Sequence, residues 1–175
     1  MEEKKIIFKD NKITMEYFNS DDLEKMKSIY HRWKELNKEI NSLNSRKMNI
    51  PEIVSEGIFC YSFNCGRTNG KNNGSADAFD ENAKEFIQIK ATCIKKDLTS
   101  FGPNSIWDKL YLMDFDIEND KIKIYLIPND LVYNCKMNEN ETFQEQQKQK
   151  RRPRFSIKEK IIEPQQINPI KIIDL

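Results

Sequence analysis

The chain has 175 residues, a length typical of one folded domain. Its 29 Lys and Arg residues against 28 Asp and Glu leave a formal net charge of +1, which excludes an evenly basic nucleic-acid-binding protein and would require any nucleic acid to be bound by a local patch. Apolar runs fall short of the roughly 20 residues of a membrane span, and the N-terminal residues lack the apolar segment of a signal peptide, so we expect a cytoplasmic protein.

The first part of the chain predicts a hairpin followed by a long helix. Residues 5–18 have the pattern of two short strands around a polar Asp10-Asn11 turn. Ser20, with a capping hydroxyl and two acids after it, predicts the start of a helix. Apolar side chains then recur at helical spacing: Leu23, Met26, Ile29, Tyr30, Trp33, Leu36, Ile40 and Leu43. This stripe either packs into the core or forms the seam of a dimer.

The middle of the chain predicts one more helix and then a run of strands. The second helix extends from Pro51 to Phe63, because proline suits the first position of a helix. A polar, glycine-spaced loop follows at 66–74. The main strands are predicted at 85–94, 109–115 and 121–127. With a basic end of irregular structure, this order indicates an α/β or α+β fold, a mixed β-sheet flanked by helices.

Cysteine and histidine usage limits the chemistry available to the protein. Cys60 and Cys65 are too far apart in sequence for a CxxC pair, and the chain has only one histidine. A zinc-finger spacing is therefore excluded, and we expect ordinary reduced thiols. A hydrolase with this composition would have to use carboxylates, lysine and a bound metal ion.

Three polar residues are predicted to converge on one hairpin. In the strand that begins at Glu85, Gln88 and Lys90 project to one face and the isoleucines between them to the other. If the hairpin turns near residues 82–84, Asp77 lies roughly opposite Lys90. An acid, an amide and a lysine would then meet at one end of the hairpin. Glu85 is a poorer candidate, because a regular strand places it on the other face from Lys90.

This grouping is suited to hydrolysis of a phosphodiester. The Asp77 carboxylate offers the hard oxygen ligands that Mg²⁺ prefers, and the Gln88 side-chain carbonyl or the Ile89 backbone carbonyl could complete the coordination. Lys90 could orient or deprotonate an attacking water and stabilise charge on phosphorus. The alternative without a catalytic role is that Asp77 ends a loop and Lys90 is a solvated strand residue.

The same residues resemble a known nuclease family. Asp77 with Gln88-Ile-Lys90, on a hairpin after a helix, resembles the PD-(D/E)xK core, with glutamine in place of the second acid and Ala76 in place of the proline. Four segments are also similar to the short type II restriction enzymes that cleave GCNGC: Glu56-Gly-Ile-Phe, Gly74-Ser-Ala-Asp-Ala-Phe-Asp80, Gln88-Ile-Lys-Ala-Thr92 and Ser100-Phe-Gly-Pro-Asn-Ser-Ile-Trp-Asp-Lys-Leu-Tyr111. The resemblance covers roughly residues 51–115 and implies a restriction-endonuclease-like fold.

The resemblance also implies a role for the helix before the hairpin. In PD-(D/E)xK enzymes this helix often supplies a further carboxylate, and Glu56 occupies that place, with Glu52 one turn earlier. We therefore expect Glu56 to join Asp77, Gln88 and the Ile89 carbonyl around a metal ion. The alternative is that both glutamates are exposed helix acids.

A basic segment near the C-terminus supplies the local patch that the net charge requires. Residues 148–158 concentrate lysine and arginine, and arginine is the side chain best suited to bind guanine bidentately. The glycine-spaced loop and the 100–107 segment add further candidates. The predicted DNA contacts are Arg67, Lys71, Asn104, Ser105, Lys150, Arg151, Arg152 and Arg154. A solvated tail that binds any polyanion is the alternative.

Together these features predict a Mg²⁺-dependent type II restriction endonuclease that leaves 5′-phosphates. We expect one nuclease domain in three parts: N-terminal strands and helix at 1–50, a catalytic core at 51–127 and a DNA-reading segment at 128–175. Cleavage of both strands of a near-palindromic site is most simply done by a homodimer. A DNA-binding protein without catalysis, and a repair or junction nuclease of the same fold, are the alternatives.

Overall fold

An eight-stranded mixed sheet organises the residues that the computed structural model describes, which are 1–45, 48–68 and 76–175. Its strands are β1 (Glu2–Phe8), β2 (Asn11–Tyr17), β3 (Gly66–Thr68), β4 (Ala78–Asp80), β5 (Glu85–Thr92), β7 (Lys109–Asp116), β8 (Lys121–Ile127) and β10 (Lys171–Asp174), in that spatial order. β6 (Thr99–Ser100) and β9 (Arg154–Phe155) form a separate two-stranded ribbon. β5 and β7 run parallel, whereas the other neighbours in the sheet are antiparallel. The predicted mixed sheet is confirmed.

The first helix, α1 (Ser20–Ser42), begins where the sequence predicts, but its cap differs. The Asn19 side chain accepts a hydrogen bond from the Asp22 N–H, and the Asp22 carboxylate accepts one from the Asn19 N–H, so a capping box replaces the expected Ser20 hydroxyl. The apolar stripe divides along the helix. Its N-terminal part is buried, whereas Leu36 is 45% and Leu43 80% exposed.

The second helix, α2 (Glu52–Phe63), follows Pro51 and packs against α1 on one face of the sheet. Gly57 sits at this contact: a Cβ there would lie 2.2 Å from the Met26 sulfur. Because Gly57 lacks that atom, the two helices can approach closely. Among the described residues, no helix combines the length and the apolar character needed to cross a membrane.

Strand β7 separates two cores because its alternate side chains point to opposite faces of the sheet. Tyr111, Met113 and Phe115 pack beneath α1 and α2, whereas Leu110 and Leu112 pack against the C-terminal elements. These elements are α3 (Asn129–Tyr133), α4 (Phe143–Lys148), the β6–β9 ribbon, a π-helical stretch at Lys158–Ile162 and α5 (Glu163–Gln165). The expectation of an irregular C-terminal end was therefore wrong. Its apolar side chains are scattered among charges but are gathered into the second core.

Asp97 attaches the basic segment to the loop that follows β5. Its side chain is buried and accepts hydrogen bonds from the Ser156 hydroxyl at 2.6 Å, the Ile157 N–H at 3.0 Å and the Lys158 N–H at 3.3 Å. The Thr99 hydroxyl adds a fourth bond at 2.8 Å. One carboxylate thus satisfies the first N–H groups of the π-helical stretch and ties it to β6.

We predict that Asp97→Asn lowers the free energy of unfolding by about 2 kcal/mol, because an amide replaces two acceptor oxygens with one and leaves buried donors unpaired. Urea denaturation measures this loss. The matched control is Asp130→Asn at an exposed position, which should stay within about 0.5 kcal/mol of the wild type. Equal stability of the two variants would contradict the anchoring role of Asp97.

Candidate active site

Asp77 immediately precedes β4 and is held by its backbone on both sides. Its N–H donates to the Ile87 carbonyl at 2.9 Å, and its carbonyl accepts from the Thr68 N–H at 2.9 Å. Its carboxylate accepts a bond from the Ile89 N–H at 2.6 Å and another from the Gln88 side-chain amide. The side chain therefore bridges the edge of β5 where β4 begins.

The register of the hairpin differs from the sequence prediction. Ala78 pairs with Ile87, so Asp77 falls opposite Gln88 rather than opposite Lys90. Gln88 also presents its Nε2 to Asp77, whereas the sequence predicts that its carbonyl oxygen faces a metal ion. The prediction that the two isoleucines point away from Lys90 is nevertheless confirmed, since Ile87 and Ile89 pack into the core under α2.

Lys90 lies on the opposite face from those isoleucines. Its ammonium is 5.4 Å from the centre of the Phe101 ring, which belongs to the second core. Burial lowers the pKa of Lys90, and the charges of Asp77 and Glu56 oppose that lowering. The lysine is thus desolvated and close to both predicted acids.

Glu56 approaches Asp77 from helix α2. Burial, assisted by the Asp77 charge, raises the pKa of Glu56 to about 7, against the opposing effect of Arg67. Burial likewise raises the pKa of Asp77 to about 6, although the Ile89 N–H and the Lys90 charge act in the opposite direction. Two carboxylates that are costly to ionise together indicate a place suited to a cation.

These side chains line one cleft of about 690 Å³. Helix α2 contributes Glu52, Ser55 and Glu56 to its wall, and β5 contributes Ile89 and Lys90. The far wall is the loop from Asp97 to Ser100, which leads into the ribbon with β9. The lining residues all lie between Met48 and Ser100, and the ribbon connects the far wall to the basic C-terminal segment.

The oxygen donors at the cleft suit a hard divalent cation. Asp77 and Glu56 supply carboxylates, and the Ile89 carbonyl points to the same edge, since one strand residue directs its N–H and C=O to the same side. Within the described ranges, no three His, Cys, Asp or Glu side chains cluster closely enough to bind a metal. Two carboxylates, a carbonyl and water form the ligand set typical of Mg²⁺.

Five of the eight predicted DNA contacts lie outside the three arginines of the basic segment. Arg67 is largely buried and donates to Glu56 at 2.6 Å and to Glu16 at 3.1 Å, and Lys71 lies outside the described residues. Lys150 donates to Asn104 at 2.9 Å, while Ser105 is buried beside them. These contacts are made within the protein.

The three arginines of the basic segment also differ from one another. Arg151 donates to both carboxylate oxygens of Glu141, at 3.0 and 2.7 Å. Arg152 and Arg154 are exposed, and the described residues offer their side chains no hydrogen bond or ion pair. Arg154 pairs with Ser100 in the ribbon that borders the cleft. The structure therefore singles out two arginines as free to contact a polyanion.

Sequence reasoning missed two contributors to this region. Glu16 in the N-terminal hairpin reaches Arg67, and Asp97 organises the far wall. Glu16 carries no signal in the sequence, because its partner is 51 positions away. Asp97 could have been suspected as a cap of the segment after Ser156, but only if the two were known to be neighbours.

The fold and the site together define a class. A mixed sheet with helices packed on both faces, and an Asp–Gln–Lys group on the β4–β5 hairpin, is consistent with a restriction-endonuclease-like fold. The model of the Bsp6I restriction endonuclease family matches residues 18–164. The type II restriction enzyme Bsp6I of Bacillus sp. (strain RFL6) is 35% identical over 151 residues, which cover 83% of this chain and 84% of that enzyme. The chain belongs to the Bsp6I restriction endonuclease family. No solved structure matches it significantly.

The raised pKa of Asp77 predicts a pH-dependent stability. Because the folded protein holds this proton up to about pH 6 and the unfolded chain releases it near about pH 4, the metal-free protein loses stability as the pH rises through that window. Denaturant unfolding in a chelator should show a fall that is larger, by on the order of 2 kcal/mol between about pH 4 and pH 7, than that of Asp77→Asn.

The control for this pH measurement is Asp130→Asn, which should retain the wild-type dependence because its carboxyl is exposed. A wild type and an Asp77→Asn variant with parallel pH profiles would show that Asp77 is not desolvated in the folded protein.

Proposed function

We propose that this protein is a type II restriction endonuclease that hydrolyses double-stranded DNA at a short GC-containing site resembling GCNGC. The reaction uses Mg²⁺ and leaves 5′-phosphates. The observation that carries the proposal is the meeting of Asp77, Glu56 and Lys90 in one cleft of a chain that belongs to a restriction endonuclease family. Bound Mg²⁺ would polarise the phosphate and promote ionisation of a water.

Each side chain of the cleft has a role in this reaction. Asp77, Glu56 and the Ile89 carbonyl would hold the cation, with Gln88 either keeping Asp77 oriented through its amide or turning its own oxygen inward. Lys90 orients the attacking water and balances the charge that develops on phosphorus. The water oxygen bonds to phosphorus while the bond from phosphorus to O3′ breaks. The attacking water gives up a proton to the solvent, O3′ leaves with a proton taken from solvent water, and the phosphate stays on the 5′ end.

We predict that Asp77→Asn and Lys90→Ala each reduce plasmid cleavage by at least about a thousandfold, since the first removes a charged ligand of the cation and the second a charge that acts on the reacting phosphate. Both variants should remain folded by circular dichroism. Lys95→Ala provides a matched control, because Lys95 is an exposed lysine five positions beyond Lys90. Mg²⁺-dependent cutting that survives Asp77→Asn would refute the assignment of the site. Retarded but intact DNA with the wild type would instead support a binding protein without catalysis.

The DNA contacts we propose are centred on Arg152 and Arg154. Both are exposed at the end of the ribbon, and Phe101 fixes the segment between them through a 3.1 Å bond from its N–H to the Pro153 carbonyl. Arg152 is also near enough to affect Lys90 electrostatically. Asn104, Ser105 and Lys150 brace the neighbouring turn, and whether Lys71 also contacts DNA stays a prediction.

We predict that Arg152→Ala and Arg154→Ala each weaken DNA binding in fluorescence anisotropy with short duplexes. If the arginine contacts a base, its loss should cost about 1–3 kcal/mol of binding free energy for the duplex with that base only. If it contacts a phosphate, its loss should weaken binding to every duplex equally and reduce the slope of log K against log salt concentration by about one. Arg32→Ala, at an exposed arginine of α1, is the control. If both variants bind as tightly as the wild type at every salt concentration, the basic segment is not the DNA-reading element.

A homodimer would place one cleft on each DNA strand. The long first helix supplies a candidate seam, because Leu36 and Leu43 leave its C-terminal half partly apolar at the surface. We predict a dimer by light scattering and dissociation of that dimer by Leu43→Glu. A monomer both free and bound to DNA would contradict this arrangement.

The division of the chain follows from these roles. Residues 51–127 would form the catalytic core and 128–175 the DNA-reading part of one nuclease domain, with 1–50 supporting both. A cytoplasmic location stays a prediction.

A further inference from the structure

Arg67 is expected from the sequence to contact DNA, but its surroundings indicate another task. We propose that Arg67 is a positioning residue that holds the Glu56 carboxylate at the metal site, and that Glu16 in turn holds Arg67. This inference rests on the proposed function, since it assigns Glu56 to the cation. It makes the N-terminal hairpin part of the catalytic apparatus rather than a separate support.

The geometry is that of a chain of three buried charges. The Nε–H group of Arg67 donates to Glu56 Oε2 at 2.6 Å, and Nη1 donates to Glu16 Oε2 at 3.1 Å. The three side chains are only 17%, 14% and 19% exposed for Arg67, Glu56 and Glu16. A buried arginine with two acids on different edges is fixed in rotation as well as in position.

The sheet determines where this arginine lies. Arg67 is paired with Glu16 across β2 and β3 and with Ala78 across β3 and β4, so its backbone is held on both sides next to Asp77. Gly66 permits this placement: a Cβ there would lie 2.6 Å from the Met15 Cβ. Arg67 therefore reaches Glu56 from the sheet, while Glu56 itself reaches the cleft from helix α2.

The charges explain why such a residue is needed. Glu56 and Asp77 line the same cleft, and two carboxylates held close together away from solvent repel each other. Arg67 offsets this repulsion from outside the cleft, which it does not line. Because Arg67 binds Oε2, and the described residues donate no hydrogen bond to Oε1, one oxygen of Glu56 remains for a metal ion.

The same contacts argue against DNA binding by Arg67. To reach a phosphate or a base, the guanidinium would have to leave two carboxylates and expose them unpaired, which is a costly change for buried charges. Arg152 and Arg154, by contrast, give up no partner among the described side chains. A positioning role and a DNA-contact role therefore predict opposite outcomes for two binding measurements.

The test compares Mn²⁺ binding, followed by electron paramagnetic resonance of the free ion, with DNA binding in a chelator. We expect Arg67→Met to weaken Mn²⁺ binding about 10–100-fold, the range found when a residue that supports a metal ligand is removed. Arg67→Lys should recover part of this loss, because lysine keeps the positive charge but lacks the planar guanidinium that donates to both carboxylates at once. DNA affinity without metal should stay within about twofold, and Arg32→Met, at an exposed arginine, should change neither measurement.

Glu16→Gln covers the case in which Arg67→Met does not fold. This isosteric change lies outside the cleft, so a several-fold weaker Mn²⁺ affinity with unchanged DNA affinity can arise only through Arg67 and Glu56. In cleavage assays the same variants should raise the metal concentration for half-maximal rate and leave the KM for DNA unaltered.

Two different failures can be told apart. If Asp77→Asn abolishes Mn²⁺ binding while the Arg67 and Glu16 variants retain it and lose DNA affinity, the positioning role is wrong and Arg67 contacts DNA. If the wild type binds no Mn²⁺, or if Asp77→Asn binds it normally, the metal site of the proposed function is wrong as well.

Discussion

The site depends on one hydrogen bond, which the Ile89 N–H donates to the Asp77 carboxylate at 2.6 Å. Strand β4 begins at Ala78 opposite Ile87, and in the described part of the chain it does not pair with the residues of β5 that follow, so the Asp77 side chain takes the place of a neighbouring strand there. The Asp77 carboxylate thereby pairs the backbone N–H of Ile89, which would otherwise be buried without an acceptor. The same hydrogen bond also brings a carboxylate and the Ile89 carbonyl to the same edge. The position of Lys90 and the opening of the cleft follow from it.

Three parts of the chain converge on this edge from different directions. Helix α2 brings Glu56, the N-terminal hairpin steadies it through Glu16 and Arg67, and the C-terminal segment brings Arg152 and Arg154 along the ribbon. The net charge of +1 is consistent with this division, since four acids, Glu52, Glu56, Asp77 and Asp97, line the cleft and exposed arginines lie on the ribbon beside it. Positive charge is thus available where a phosphate would lie, without a generally basic surface.

The sequence predicted those features that depend on local pattern. The hairpin, both long helices and the strands β5, β7 and β8 were recognisable because their apolar spacing and turn residues lie close together in the chain. The placement of Asp77 opposite Gln88 was not, because it differs from the predicted register by two residues along β5, and the polar turn residues do not specify the length of the turn. The contacts of Arg67 with Glu16 and Glu56, and those of Asp97 with the basic segment, could not be predicted for a different reason. Their partners are distant in sequence and become neighbours only through the order of the strands.

The central claim is that this cleft hydrolyses DNA at a specific sequence. The most direct measurement is to incubate the wild-type protein with unmethylated plasmid and Mg²⁺ and to sequence the ends of the products. We predict discrete fragments whose ends carry 5′-phosphates and share one short GC-containing sequence, and no fragments in a chelator. Intact plasmid, or breaks that follow DNA structure rather than sequence, would contradict the account.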